Sequence, residues 1–355
     1  MVNWITAYKG AGPSGFNFKA MANQPQYNEG SSMATSGNTI WSMANQDMGD
    51  SPITPVHDPG CGYWTKGAGG GALTNYNLYI VDGIVDCVML CNGNGSTSKY
   101  WGSLGSTAGK FNYPTDICTI GYPINQIYVT DQLNHRVQIF DMNGNFISSF
   151  GSYGTGNGQF NTPCGITFWG GTGLLYVVDK ENNRIQIFDW LGNYFNQWGT
   201  YGTTNGKLYY PDEITITFGG QVYITDGLNH RVQVFDVSGN YITNWALSSV
   251  AYGITTYNNE VYVCDTYNSG GNHIKVFSNT GTLNRSWGPY GTGNGQFHTS
   301  WGIAIYNGEV FVSDVANQNI QVFTTAGVFK RSWQPHFFPP NTTPGFPYGI
   351  LIVPF

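Results

Sequence analysis

The sequence predicts an all-β chain folded as a six-bladed β-propeller. Three observations predict it. Glycine and aromatic residues are abundant while charge is scarce, a short phrase ending in aspartate recurs, and the copies are spaced by roughly forty to fifty residues.

Composition sets the class. The chain has 355 residues, with 49 Gly, 24 Tyr, 21 Phe and 11 Trp, and only 10% of its residues are charged. Long helices need Ala, Glu, Lys, Leu and Arg in bulk, and glycine at this frequency makes them costly. A charged disordered chain lacks aromatics. Many short strands joined by tight turns fit this composition. No apolar run approaches the roughly 18 residues of a membrane helix, so no membrane partner is expected. The formal net charge of −6 with few cations argues against nucleic acid. The stretch from Met1 to Lys9 has no apolar h-region, so no signal peptide is expected.

The recurring phrase is Ile127-Tyr128-Val129-Thr130-Asp131, followed by Asn134-His135-Arg136-Val137-Gln138-Ile139-Phe140. Its anchor aspartates are Asp82, Asp131, Asp179, Asp226, Asp265 and Asp314, spaced by 49, 48, 47, 39 and 49 residues. Each unit reads as four strands. The innermost is a short apolar run such as Gly165-Ile166-Thr167-Phe168, and the second ends at the anchor Asp. The third is the Arg-Val-Gln-Ile-Phe run. A glycine turn follows at Gly144, Gly192, Gly239, Gly281 or Gly327, as a tight hairpin wants. The outer strand ends at Phe150, Trp198, Trp245, Trp287 or Trp333. Apolar residues on both faces suit sheets packed between two others. The first copy lacks an inner strand of its own. The segment Pro347-Tyr348-Gly349-Ile350-Leu351 has the inner-strand pattern with nothing after it, so it should complete the first blade and close the ring. The propeller is placed at residues 67–355.

These residues resemble NHL repeats. The likeness rests on Asn134-His135-Arg136-Val137 and Asn229-His230-Arg231-Val232, and on the loops Gly154-Thr155-Gly156-Asn157-Gly158-Gln159-Phe160 and Gly291-Thr292-Gly293-Asn294-Gly295-Gln296-Phe297. It covers about four-fifths of the chain and implies a six-bladed propeller, a fold that hosts binding modules, scaffolds, sensors and a few lyases. The glycine loops are inter-blade turns rather than phosphate cradles, because a strand and not a helix follows them.

Three pairs, Asp131 with Arg136, Asp179 with Arg184 and Asp226 with Arg231, should face each other across a hairpin and pin it as structural ion pairs. At the Arg position the other copies hold Cys87, His273 and Asn319, so their aspartates need other partners. The resemblance would admit zinc-dependent amidating lyases, which gather several His in the channel. Of the histidines here only His298 precedes an inner strand, so no metal and no cofactor is expected. Cys87 and Cys91 share one strand and are too far apart to bond. Cys118, Cys164 and Cys264 read as small buried groups, and Cys61 as the exposed thiol, with all disulfide states left open.

The inner strands of the family begin Pro-x-Gly-Ile near one mouth of the channel. Here Asp116 and Glu213 replace the Gly in two copies, with Asp212 adjacent. Tyr252, Trp301 and Tyr348 precede the Gly in three others. A rim acidic on one side and aromatic on the other would suit a sugar, a cation or a cationic peptide, or would simply fill the channel.

Residues 1–66 match no repeat and are rich in Asn, Gly, Ser, Met and Pro, which suits an arm docked in an assembly. The leading expectation is a non-enzymatic interaction or structural protein, held by this arm in a virion or an extracellular assembly. It would have protein partners at the arm and propeller faces, and would form a homo-oligomer or larger assembly; a cytoplasmic location stays open. The alternatives are a carbohydrate- or small-ligand-binding propeller and, least favoured for want of a nucleophile–base pair, a propeller lyase or hydrolase. Asn94, Asn284 and Asn341 are glycosylation acceptors in a host that performs that chemistry.

Overall fold

The structure is a computed structural model and describes residues 76–93, 95–266, 271–335 and 346–354. The expected arm at residues 1–66, its boundary with the propeller, and Cys61, Asn94 and Asn341 lie outside the described residues.

Six four-stranded antiparallel sheets form the blades. Blade 1 holds β1 (Tyr76–Asp82), β2 (Cys87–Asn92) and β3 (Thr97–Trp101). Blade 2 holds β4 (Pro114–Ile120), β5 (Gln126–Asp131), β6 (Arg136–Asp141) and β7 (Phe146–Phe150). Blade 3 holds β8 (Pro163–Trp169), β9 (Leu174–Asp179), β10 (Arg184–Phe188) and β11 (Tyr194–Trp198). Blade 4 holds β12 (Pro211–Ile216), β13 (Gln221–Asp226), β14 (Arg231–Asp236) and β15 (Tyr241–Ala246). Blade 5 holds β16 (Ala251–Tyr257), β17 (Glu260–Asp265), β18 (Asn272–Ser278) and β19 (Leu283–Pro289). Blade 6 holds β20 (Ser300–Tyr306), β21 (Glu309–Asp314), β22 (Asn319–Thr324) and β23 (Phe329–Trp333). The last strand, β24 (Pro347–Pro354), pairs with β1 and completes blade 1, closing the ring as the sequence predicts.

Apolar side chains fill the gaps between blades. One core cluster, for example, joins Tyr128, Val137 and Phe160 to Ile166, Val177 and Phe188, drawn from blades 2 and 3 and the loop between them. A blade therefore has no core of its own, and neighbouring sheets bury each other's faces.

Repeat residues latch neighbouring blades in three places. In blades 1 to 4 the tyrosine of the recurring phrase is buried and donates its hydroxyl proton to a hairpin carbonyl of the following blade, as Tyr79 does to Met142 at 3.0 Å and Tyr128 to Trp190 at 2.8 Å. The aromatic that ends the outer strand lies on the next blade's hairpin glycine. At Gly239, φ is +86° and a Cβ would stand 2.3 Å from the Trp198 ring, so glycine is required twice over. On the loop face, the residue before the Arg position adopts the left-handed conformation, as His135 (φ 54°) and Asn183 (φ 55°) do. His135 Nδ1 accepts the Thr162 N–H at 3.2 Å, and Asn183 Oδ1 accepts that of Tyr210 at 2.8 Å. His135 of the first Asn-His-Arg motif is thus an inter-blade acceptor.

The anchor aspartates are fully buried hubs. Asp179 accepts from Arg184 Nε (2.7 Å), Gln186 Nε2 (3.0 Å), Asn182 Nδ2 and the Asn161 N–H (2.7 Å). Arg184 also donates to the carbonyls of Thr155, Gly156 and Gln159, fastening the preceding glycine loop. Asp131 with Arg136 and Asp226 with Arg231 form the same contact at 2.7 Å. Where the Arg is missing, the partners change. Lys275 pairs with Asp265, helped by Ser249 Oγ at 2.5 Å. Asp314 takes the N–H groups of His298 and Thr299, and Asp82 those of Ile84 and Val85.

The one short repeat spacing has a local cause. Glycine loops precede blades 2, 3, 4 and 6, each tied by a parallel bridge such as Tyr153 to Phe160. Between β15 and β16 only residues 247–250 remain. Arg in blade 5 would find no loop carbonyls to hold, and His273 stands there instead.

Candidate functional site

Inner strands line the channel. β4 begins at Pro114 opposite Asp131, the end of β5, so inner-strand starts and the loops after the anchor aspartates share one face. Every inner strand also carries a register shift at its start, as between Pro114 and Ile117 or Pro211 and Ile214. Such bulges re-aim side chains. Here they leave one isoleucine per blade (Ile117, Ile166, Ile214, Ile254, Ile303 and Ile350) lining the channel as an apolar collar. Polar and aromatic residues stand above it.

The structure brings all the predicted rim residues to this mouth. Asp116, Asp212, Glu213, Tyr252 and Trp301 line a cavity of about 150 Å³, with Lys180, Tyr113, Gln132, Cys164 and Thr115. Tyr348 lines the adjoining 40 Å³ space over the collar, which shares Thr115, Asp116, Glu213 and Trp301 with the first.

Asp116 and Glu213 come from blades 2 and 4 but meet over blade 3. Asp116 Oδ2 accepts the Ile166 N–H at 2.8 Å, and Glu213 Oε1 accepts its neighbour Ile214 N–H at 3.0 Å. The two carboxyls hydrogen-bond to each other. Gly165, retained in blade 3, makes room, since a Cβ there would lie 2.7 Å from Glu213 Oε1. Burial pushes the Asp116 carboxyl up to about 6, and burial together with the Asp116 charge pushes Glu213 well above its usual range. Both carboxyls are thus biased toward their protonated forms, as two carboxyls in one buried site are.

Two contacts at this rim go beyond what the sequence names. Asp212 is buried and ion-paired with Lys180. Burial opposes the Lys180 charge, yet the Asp212 and Cys164 side chains beside it outweigh that and raise its pKa. The aromatic residues contact one another. Tyr252 and Trp301 stack on each other at 3.7 Å with planes 10° apart, and Tyr348 meets the Trp301 ring edge-on at 4.7 Å. Tyr113, also absent from the predicted set, joins Tyr348 through their hydroxyls at 2.7 Å. The sequence signals for both were available: Lys180 follows an anchor Asp and Tyr113 precedes an inner-strand proline. Their relevance depended on neighbouring blades.

Other candidates fall elsewhere. His298 is exposed on the rim, with its ring 5.1 Å from Tyr290, and does not line either cavity. Cys87, Cys91, Cys118, Cys164 and Cys264 are free and buried. Burial holds the Cys164 and Cys118 thiols well above their usual range, so neither is poised as a thiolate. Asn284 lies exposed on β19, its amide donating to Glu260 at 2.9 Å.

No family model matches the chain, and no curated protein matches it either. Among solved structures, it is similar to a protein of unknown function from Bacteroides caccae, with a TM-score of 0.59 and 9% identity over 79% of this chain and 99% of that one. A functionally unknown protein from Desulfotomaculum acetoxidans DSM 771 gives a TM-score of 0.51 and 13% identity over the same shares. At these identities the likeness speaks to the fold alone.

Proposed function

We propose that the protein is a non-enzymatic binding propeller of the NHL type whose channel mouth takes a small ligand or the tip of a partner's side chain. The observation that carries this reading is the mouth cavity. Six blades contribute identical isoleucines to the collar, but the residues above it differ blade by blade, and none of those differences is needed to close the ring. A blind, mixed polar and aromatic pocket on a rigid frame is a binding site by its chemistry. Lys180 is committed to Asp212 and the Cys164 thiol is neutral, which supports binding over nucleophilic catalysis. Saturation-transfer NMR with a fragment and glycan panel tests it. Binding should be lost in Trp301→Ala, whereas no binding by any compound would remove the reading, and turnover of a bound compound would make the protein an enzyme.

A second reading, a component of a virion or extracellular assembly, is favoured by the loop face. Leu104, Tyr153, Tyr201 and Tyr290 occupy the same position in the four glycine loops and are 53–68% exposed. Repeated exposed aromatics on a weakly charged rim suit a protein interface. Mass measurement of the full chain in solution, with and without a Tyr153→Ser, Tyr201→Ser, Tyr290→Ser triple change, tests self-association through this rim. A monomer in both cases would leave assembly through this rim unsupported.

A further inference from the structure

We propose that the mouth pocket is selective for an organic cation, an ammonium or guanidinium carried on a small flat group, and that its binding displaces the proton shared by Asp116 and Glu213. The proposal rests on the binding role assigned to this pocket above and specifies its ligand. Three features carry it. The first is size: about 150 Å³ is the volume that accommodates a benzene-sized group. The second is the charge inventory. Three acids and a single cation line the cavity, and that cation, Lys180, is taken up by Asp212. An added anion would face Asp116 and Glu213 with no free positive partner, whereas an added cation would find two carboxyls already turned toward each other. The third is the aromatic part of the lining, the stacked Tyr252 and Trp301 together with Tyr113, whose π systems favour a cation over a neutral group of the same shape.

The proton balance is simple. In the free pocket one proton bridges Asp116 and Glu213. When an R–NH3+ group enters, its N–H donors replace that proton, which passes to the buffer, and both carboxyls become anionic acceptors. Asp212, Lys180 and Cys164, which line the same pocket, keep their states: Lys180 and Asp212 remain ion-paired, and burial keeps the Cys164 thiol protonated.

Calorimetric titration of the full chain at pH 7 tests this, with tyramine and benzylamine as cationic probes and benzyl alcohol and phenylacetate as neutral and anionic counterparts. Each is run in phosphate and in Tris, whose ionisation enthalpies differ. The expected result is amine binding at least tenfold tighter than benzyl alcohol, no phenylacetate binding, and an amine enthalpy that changes with buffer in the sense of proton release. Glu213→Gln should still bind amines through Asp116 but without the buffer dependence. The Asp116→Asn/Glu213→Gln double variant, verified as folded by its melting transition, should lose the amine preference. Equal binding of amine and alcohol, both lost in Trp301→Ala, would overturn the cation selectivity and leave the pocket a ligand site. A buffer-independent amine enthalpy in the native protein would overturn the proton displacement. If no probe bound, both readings would fall.

Discussion

Asp116→Asn should flatten the dependence of stability on pH. In the folded protein Asp116 is pushed from the ordinary 3.8 up to about 6 by burial above the isoleucine collar. A folded-state pKa above the unfolded value means that the native chain binds more protons, so stability falls as pH rises between those values. Stability from this group is complete below about pH 4 and is lost as pH climbs through about 6. A shift of about two units, at about 1.4 kcal/mol each, corresponds to about 3 kcal/mol. Asn keeps the shape, can still accept the Ile166 N–H and can donate to Glu213, so the substitution removes the titration with little change in packing. Urea unfolding of both proteins from pH 4 to pH 8 reads the effect. Asp82, also raised to about 6 by burial, tilts both curves alike and cancels in the comparison. The variant should gain about 3 kcal/mol on the native protein across this range. Parallel curves, within about 0.5 kcal/mol, would refute the inference that burial raises the Asp116 carboxyl.

Three further outcomes follow from the latches. Arg184→Ala should cost about 3–5 kcal/mol, because it leaves the buried Asp179 charge without its cation and frees three loop carbonyls; thermal melts read it, and a loss under about 1 kcal/mol would show the aspartate hub to be satisfied by its amides alone. Gly239→Ala places a methyl against the Trp198 ring at a positive φ and should cost more than the about 1 kcal/mol of glycine's conformational advantage, whereas Gly308→Ala, at φ 74° with open space around it, should cost only that. Tyr128→Phe should lose about 1 kcal/mol, the worth of one hydroxyl hydrogen bond, since the ring keeps its packing; a loss above about 3 kcal/mol would mean that the Trp190 carbonyl is left unpaired at full cost.

The blades were legible in the sequence because each is written by strong local signals. The Tyr before the anchor Asp, the hairpin glycine and the closing aromatic recur; the glycine meets the preceding blade's aromatic throughout the ring, and the Tyr reaches the next hairpin in blades 1 to 4. The closing strand was legible for the same reason, since the Pro347–Ile350 pattern matched the other inner strands. The rim residues could be named, because substitutions against a repeat stand out. Their interactions could not. Whether Asp116 meets Glu213 depends on a bulge that turns each side chain and on Gly165 in the intervening blade, three segments far apart in sequence. Asp212 could be named but its partner could not, because Lys180 follows the anchor aspartate of the neighbouring blade, where nothing in the repeat marks it as facing the channel. Tyr252 and Trp301 could likewise be named, but only the ring geometry shows them as one stacked unit.

The pairing of β1 with β24 has a consequence for how the chain is made. Asn77 lies opposite Val353, so the contact that shuts the ring spans nearly the whole propeller sequence and must wait until the last strand has been synthesised. Until then the inner edge of β1 offers unpaired backbone groups lined by Leu78, Tyr79 and Ile80, a segment fit to recruit any passing strand. A nascent chain stalled before Pro347 would be a propeller with an adhesive edge, and the rate at which the ribosome completes β24 becomes a determinant of yield.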